Sequence, residues 1–336
     1  MYTSWKSVCA GLMMMAAMPV NAAPKIKVGL SLPTQREERW VRDKNKMVEE
    51  AKKLGIDLRV QITDNDAGKQ VAQCENLIAQ GIKVLIVAPH DGTSASVIVE
   101  KAHKAGIKVI AYDRMILNSD LDVYISFDNV KIGELQGEFL TKAVPKGNYV
   151  VLSGSPTDNN AKLFKDGAMK FIKPLVDKGL VKIVMEQSIK DWQPAEAQKL
   201  MEQALTANKN KIDGILAPND GTAGGCIQAL AAQGMAGKIP VTGQDSELAA
   251  AIRVLNGTQS MTIYKDTRAV GAKAIELAVK MAKGESIDSE VNAKLNNNKV
   301  DVPSVLLPAI VVEKGNLEAT LIVSGYLKKS DVYKKK

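Results

Sequence analysis

Histidine, cysteine and aromatic residues are all scarce in this chain of 336 residues. Two histidines, His90 and His103, are the whole supply, and no H-E-x-x-H, C-x-x-C or G-x-S-x-G pattern occurs. Metal-assisted or nucleophilic hydrolysis therefore has no sequence basis. Neither G-x-x-x-x-G-K-[ST] nor G-x-G-x-x-G follows a strand, so no phosphate cradle is predicted and no cofactor is expected. Asp64-Asn65-Asp66-Ala67-Gly68 lacks the sixth-position glycine of a calcium loop and reads as a turn. Cys9, Cys74 and Cys226 are too few and too scattered for a disulfide framework. The last two are expected to be buried free thiols. Aromatics make up 4% of the chain, so large flat apolar surfaces are few.

One charge sign does not dominate: the formal net charge is +8, a mild excess. Lysines crowd the end of the chain, and segment 331–336 reads as a solvated tail rather than a nucleic-acid arm. Long hydrophobic runs are missing beyond the start. There, Lys6 is followed by an uncharged run from Val8 to Val20 and then small residues. The run is short for a membrane span, and the pattern predicts a secretory signal peptide over 1–22, cleaved near Ala22. The expected product is an exported, periplasmic protein of about 314 residues, long enough for two domains.

What is present is a regular alternation of short apolar strands with amphipathic helices. Strands are predicted over 26–32, 57–62, 84–88, 109–112, 123–126, 149–153, 182–187, 212–217, 239–243 and 260–263. Helices are predicted over 36–54, 69–79, 95–105, 130–143, 161–177, 194–207, 222–232, 247–255 and 267–282. This is an α/β pattern, with parallel sheets covered by helices on both faces. The rhythm breaks at 118–129 and again after Gly284, where Asn296-Asn297-Asn298-Lys299-Val300-Asp301-Val302-Pro303 has no helical period. Such breaks suit crossings between two sheets better than one closed barrel.

Ligands of open parallel sheets sit beyond the carboxyl ends of the strands. Those ends carry Arg39-Trp40, His90-Asp91, Asp113-Arg114, Asp158 and Asn160, Asp191-Trp192, Asn219, Asp245 and Lys265. Carboxylates accept hydrogen bonds, Arg and Lys donate them, and Asn does both, which matches the hydroxyls of a neutral polyol or sugar. Trp40 and Trp192 fall at strand-to-helix junctions in separate halves, placed to cover the two C–H faces of a sugar ring. In AYDRM, residues 111–115, Asp113 and Arg114 read as an acceptor and a donor aimed at hydroxyls, each helping to hold the other charged. An ion pair of purely structural purpose is the alternative. A sugar-processing enzyme with Asp113 and Asp245 as acid and base is the rival reading.

Seven segments, Glu38-Arg39-Trp40, AYDRM, YISFDN (124–129), GSPTDNNAKLF (154–164), ALTANKNKIDGILAPNDGTAGG (204–225), GQDSEL (243–248) and MTIYK (261–265), with DVPS (301–304), carry a resemblance. In order along the chain, they resemble the periplasmic sugar-binding proteins of ABC importers. The resemblance implies two flavodoxin-like lobes, each a doubly wound parallel sheet, joined by a three-segment hinge with the ligand between them. Crossings would fall near 127–130, 264–267 and 300–303. The amino-terminal lobe would be 25–128 plus 266–300, and the carboxyl-terminal lobe 129–265 plus 301–330. It further implies a monosaccharide ligand, D-xylose first and ribose, arabinose or glucose as alternatives, with a membrane permease as partner and a monomeric state. Its sugar contacts map onto Arg39, Trp40, Asp113, Arg114, Asp158, Asn160, Trp192, Asn219, Asp245 and Lys265. Pro33-Thr34 departs from the acidic pair found there in the family, a change expected at the rim of the cleft. His90 and Asp91 receive no contact role.

Overall fold

The structure, a computed structural model, describes residue 1 and residues 25–334. Apart from Met1, the signal segment expected over 1–22 lies outside the described residues, as do Lys335 and Lys336 of the tail. In chain order the first half runs β1 (Lys27–Leu32), α1 (Glu38–Lys53), β2 (Asp57–Ile62), α2 (Ala67–Ala79), β3 (Val84–Val87), α3 (Ser96–Lys104), β4 (Lys108–Tyr112) and β5 (Val123–Phe127). There follow α4 (Asn129–Ala143), β6 (Gly147–Ser153), α5 (Asn159–Asp177), β7 (Val181–Ser188), α6 (Pro194–Ala207), β8 (Gly214–Leu216), α7 (Asp220–Ala232) and α8 (Leu248–Asn256). The last part is β9 (Thr262–Tyr264), α9 (Thr267–Lys283), β10 (Ala293–Asn296), β11 (Asp301–Leu307), β12 (Ile310–Val312) and α10 (Lys329–Val332).

The first lobe is a seven-stranded sheet in the order β10-β11-β5-β4-β3-β1-β2, parallel except for the β10 edge. Its strands are apolar on both faces because both faces are covered. In β3, Val84 and Ile86 enter one core beside Met47 of α1 and Val270 of α9, while Leu85 and Val87 enter the other beside Leu77 of α2 and Ile98 of α3. The period-two alternation of a strand produces this division. The second lobe repeats the plan around β7-β6-β8. Tyr149 and Val151 of β6 face Ala168 and Ile172 of α5, and Val150 and Leu152 face Met201 of α6 and Leu230 of α7. The antiparallel pair β9–β12 completes it.

Two expectations are corrected. The strand expected over 239–243 is reduced to a single bridge between Ile215 and Val241. Pro240 has no N–H to donate, and the Val241 N–H goes to Ser260 Oγ at 3.1 Å instead of a neighbouring strand. The break at 296–303 is a hairpin turn, not a crossing. Asn298 takes a left-handed φ of 73°, which Asn tolerates, and Asn297 donates to the carbonyls of Ile116 and Ser119. β11 then runs parallel to β5 in the first sheet, so residues 301–307, expected in the carboxyl-terminal lobe, belong to the other one. The third crossing therefore lies at residues 308–309, between β11 and β12. Cys74 and Cys226 are buried and free, and burial pushes both thiols up to about 12.

Candidate functional site

The candidate site is built from residues that follow strand ends. Asp113 and Arg114 follow β4, Asp158 and Asn160 follow β6, Trp192 follows β7, Asn219 follows β8 and Lys265 follows β9. Arg39 and Trp40 ride on the first turn of α1 after β1. Asp245 lies between Val241 and α8. Helix caps fix several of them. Asp158 caps α5 by accepting from the Asn160 N–H at 2.9 Å, and Asn219 caps α7 with Thr222 as its reciprocal partner.

Asp113 and Asp245 are held by one device in two lobes. Each takes a left-handed backbone, with φ of 61° and 96°. Each donates its N–H at 2.8 Å to the neighbouring strand, Asp113 to Ile125 and Asp245 to Ile263. Such conformations persist in non-glycine residues only when the surroundings over-determine them. For Asp113 the surroundings are explicit. Its carbonyl accepts from Tyr124 Oη at 2.7 Å, Ser126 Oγ at 2.8 Å and Asn160 Nδ2 at 2.9 Å. Asn160 is held in turn by Asn129, whose Nδ2 lies 2.9 Å from Asn160 Oδ1.

All ten residues proposed from the sequence surround one cavity between the lobes. Glu37, Phe164 and Gln244 also line it and were missed. Signals for two of them were present. Phe164 lies one helical turn after Asn160, on the same face, and Gln244 immediately precedes Asp245. The cavity encloses at most about 340 Å³, a volume that includes space open to solvent. His90 and Asp91 do not line it, and neither do Pro33 and Thr34. His90 stands at the rim, with Nε2 3.8 Å from Asp191 Oδ1 on the other lobe.

Charges in the cavity are paired, but not as sequence neighbours. Asp113 and Arg114 form no salt bridge with each other, although Arg114 still helps to keep the Asp113 carboxyl charged, as expected. Asp113 Oδ1 lies 2.6 Å from Arg39 Nη1, and Arg114 Nε lies 2.8 Å from Asp158 Oδ2 on the opposite lobe. Lys265 Nζ lies 2.8 Å from Asp245 Oδ1, which is also 3.8 Å from Arg39. Asp43 supports Arg39 from behind, accepting at 3.0 and 3.1 Å, and Tyr112 Oη donates to its other oxygen at 2.6 Å. Burial alone would push Asp113 up, but Arg39, then Lys265 and Arg114, hold its carboxyl below the usual range. For Asp43, burial outweighs Arg39 and the carboxyl is raised to about 6. Burial likewise raises Asp158 against Arg114. The Arg39 guanidinium stays charged, because Asp113, Asp43 and Asp245 together outweigh its burial.

The aromatic surfaces come from Trp40, Trp192 and Phe164. Arg39 lies over the Trp40 ring at 4.4 Å, and Phe164 meets Trp192 edge-on with centroids 6.4 Å apart. Gly154 backs Trp192 so closely that a Cβ there would lie 2.1 Å from the indole. The buried Trp192 Nε1, Gln244 Oε1 and Glu37 Oε2 have no hydrogen-bond partner within the protein. Buried polar atoms are normally satisfied, so these three mark where a hydroxyl-bearing ligand would bond. A general acid needs a raised carboxyl, whereas Asp113 is salt-bridged and held ionised, which argues against an acid–base pair of Asp113 and Asp245.

A family model described as a periplasmic binding protein domain matches residues 28–286. The chain is 47% identical over 308 residues to the D-xylose-binding periplasmic protein of Haemophilus influenzae, covering 92% of each. It is 46% identical over 310 residues to the D-xylose-binding periplasmic protein of Escherichia coli, covering 92% of this chain and 93% of that one. Among solved structures, a carbohydrate transporter solute-binding protein from Chloroflexus aurantiacus, in complex with D-glucose, superposes with a TM-score of 0.84 at 36% identity. That superposition covers 90% of this chain and 97% of the other.

Proposed function

The chain belongs to the periplasmic binding protein family, and on that premise we propose that it captures D-xylose between its lobes and delivers it to the permease of an ABC importer. The protein is exported behind a cleaved signal peptide and works as a monomer. One observation carries the choice of ligand class: the cavity's cations Arg39, Arg114 and Lys265 are each in an ion pair with Asp113, Asp158 and Asp245, and its fourth carboxylate, Glu37, is paired with Arg36. A charged ligand would upset that balance, whereas neutral hydroxyls accept and donate without changing it. Arg39, Asp113, Arg114 and Lys265 bond the hydroxyls with Asp158, Asn160, Asn219 and Asp245, and Trp40 and Trp192 cover the ring. Closure buries these contacts, so the ligand stabilises the shut state by the bonds it lacks in the open one.

No helix among the described residues is long and apolar enough to cross a membrane. Intrinsic tryptophan fluorescence tests the proposal directly, because Trp40 and Trp192 are the indoles of the mature chain and both line the cavity. A saturable change with D-xylose, absent with D-ribose, L-arabinose and D-glucose, is the expected result. A response to another of these sugars instead would overturn the choice of xylose and keep the mechanism. No response to any of the four would overturn the site.

A further inference from the structure

Helix α8 begins at the cleft, three residues after Asp245, and lacks a cap of its own. Its N-cap residue, Glu247, makes no side-chain bond to the helix. The first N–H of the helix, on Leu248, instead donates at 2.8 Å to Oε2 of Glu38, which belongs to α1 of the other lobe. The other oxygen of Glu38 is engaged by Arg42 one turn along α1, and the Arg42 guanidinium lies 4.4 Å from the Tyr326 ring. Glu38 does not line the cavity, although its neighbour Arg39 does. A carboxylate at a helix N-terminus satisfies an orphan N–H and complements the helix dipole.

We propose that Glu38 is a closure latch: carried by the amino-terminal lobe, it caps α8 of the carboxyl-terminal lobe only while the cleft is shut, and it slows sugar release without touching the sugar. This rests on the capture mechanism proposed above. In the open form Leu248 loses its acceptor to water and Glu38 keeps only Arg42. The latch therefore favours the closed state by its own free energy, with or without ligand. Two contacts on the far rim also bridge the cleft, Gly92 N–H to the Thr157 carbonyl at 3.0 Å and Thr157 Oγ1 to the His90 carbonyl at 3.2 Å, but neither carries charge.

Stopped-flow tryptophan fluorescence with D-xylose separates the latch from a structural role. Glu38→Ala should release sugar roughly fivefold faster, the usual worth of one cap, with the association rate unchanged. Glu38→Gln keeps an acceptor oxygen and should recover most of the wild-type release rate. A merely structural Glu38 would lower the melting temperature of the sugar-free protein and leave both rates alone, which would overturn the proposal. A second measurement needs no sugar. Spin labels at Lys69→Cys and Lys162→Cys, two exposed positions on opposite lobes, report the width of the cleft. Buried Cys74 and Cys226 are poor targets for the label. The sugar-free Glu38→Ala protein should shift to longer distances, and an unchanged distribution would refute the latch whichever sugar the protein binds. A wild-type protein that answers to no sugar, yet widens on Glu38→Ala, would overturn the capture mechanism and leave the latch standing.

Discussion

Gly154 offers the sharpest test of how the site is held. A Cβ at this position would stand 2.1 to 2.4 Å from three atoms of the Trp192 ring. Carbon atoms rest at about 3.5–4.0 Å, so Gly154→Ala forces the indole to retreat by roughly 1.5 Å. The ring cannot yield freely, because it is 7% exposed and packs edge-on with Phe164. Overpacking of this kind costs about 1–3 kcal/mol. Because Trp192 is a wall of the cavity, much of that cost should fall on sugar binding, weakening it by roughly tenfold to a hundredfold at 1.4 kcal/mol per decade. Calorimetric titration of Gly154→Ala with D-xylose gives the affinity, and thermal melting of the sugar-free protein gives the share borne by the fold. A cycle with Trp192→Ala isolates the mechanism. If Gly154→Ala acts through the ring, it should add almost nothing once the ring is gone. Wild-type affinity in the single variant, or full additivity in the double, would refute the reasoning.

Lys265→Met should leave Asp245 buried with only Arg39, 3.8 Å away, and lower stability by about 3–5 kcal/mol; a urea midpoint equal to wild type would contradict this. Tyr124→Phe removes one of three donors to the Asp113 carbonyl, and the expected loss is about 1–2 kcal/mol in melting studies, together with weaker sugar binding but unchanged far-UV circular dichroism. Burial first, then neighbouring carboxylates, raises Glu247 from 4.5 to about 8, and burial raises Asp220 from 3.8 to about 7. Both groups hold a proton more tightly folded than unfolded, so their contribution is fully present below about pH 4 and is lost as pH rises toward 7 and 8. Stability should decline over that window by up to about 1.4 kcal/mol per pH unit for each group, and Glu247→Gln should flatten the decline; an identical pH slope in the variant would sink the assignment.

The strand ends were legible because a buried strand has little reason to finish in Asp-Arg or Asn-Asp, and the end of each continuous apolar run marks where a strand stops. That reasoning located Asp113, Asn219 and Asp245 without any knowledge of how the lobes meet. Partner choice was not legible. Arg114 reaches Asp158 across the cleft, and Arg39 reaches Asp113 from 74 positions away in sequence. Such pairings depend on lobe closure and on the direction of each side chain, which adjacency in sequence does not encode. Strand β11 was missed for a related reason. Asp301-Val302-Pro303-Ser304 contains a proline and follows three asparagines, which reads as loop. A neighbouring strand on each side, β5 and β10, overrides that local preference.

The strained backbone of Asp113 and the missing cap of α8 express one physical arrangement on two scales. Asp113, Asp191, Trp192 and Asp245 all sit at positive φ, and all four stand at or beside the cleft. Their conformations are costly in isolation, so the bonds that impose them fix the site before a ligand arrives. The Asp113 carbonyl takes two of its three donors, Tyr124 and Ser126, from β5 within its own lobe, which leaves Asn160 to join it from the other lobe. Each lobe can thus present its half-site rigidly while open, and closure adds contacts that bridge the gap, among them Asn160 to Asp113, Arg114 to Asp158, and Glu38 to Leu248. Ligand ordering is then cheap on the protein side, since few side chains remain to be frozen on binding. Affinity in such a design is divided between bonds made at the sugar and a bridge that the sugar never touches, Glu38 to Leu248, and loss of that bridge should appear as a release defect.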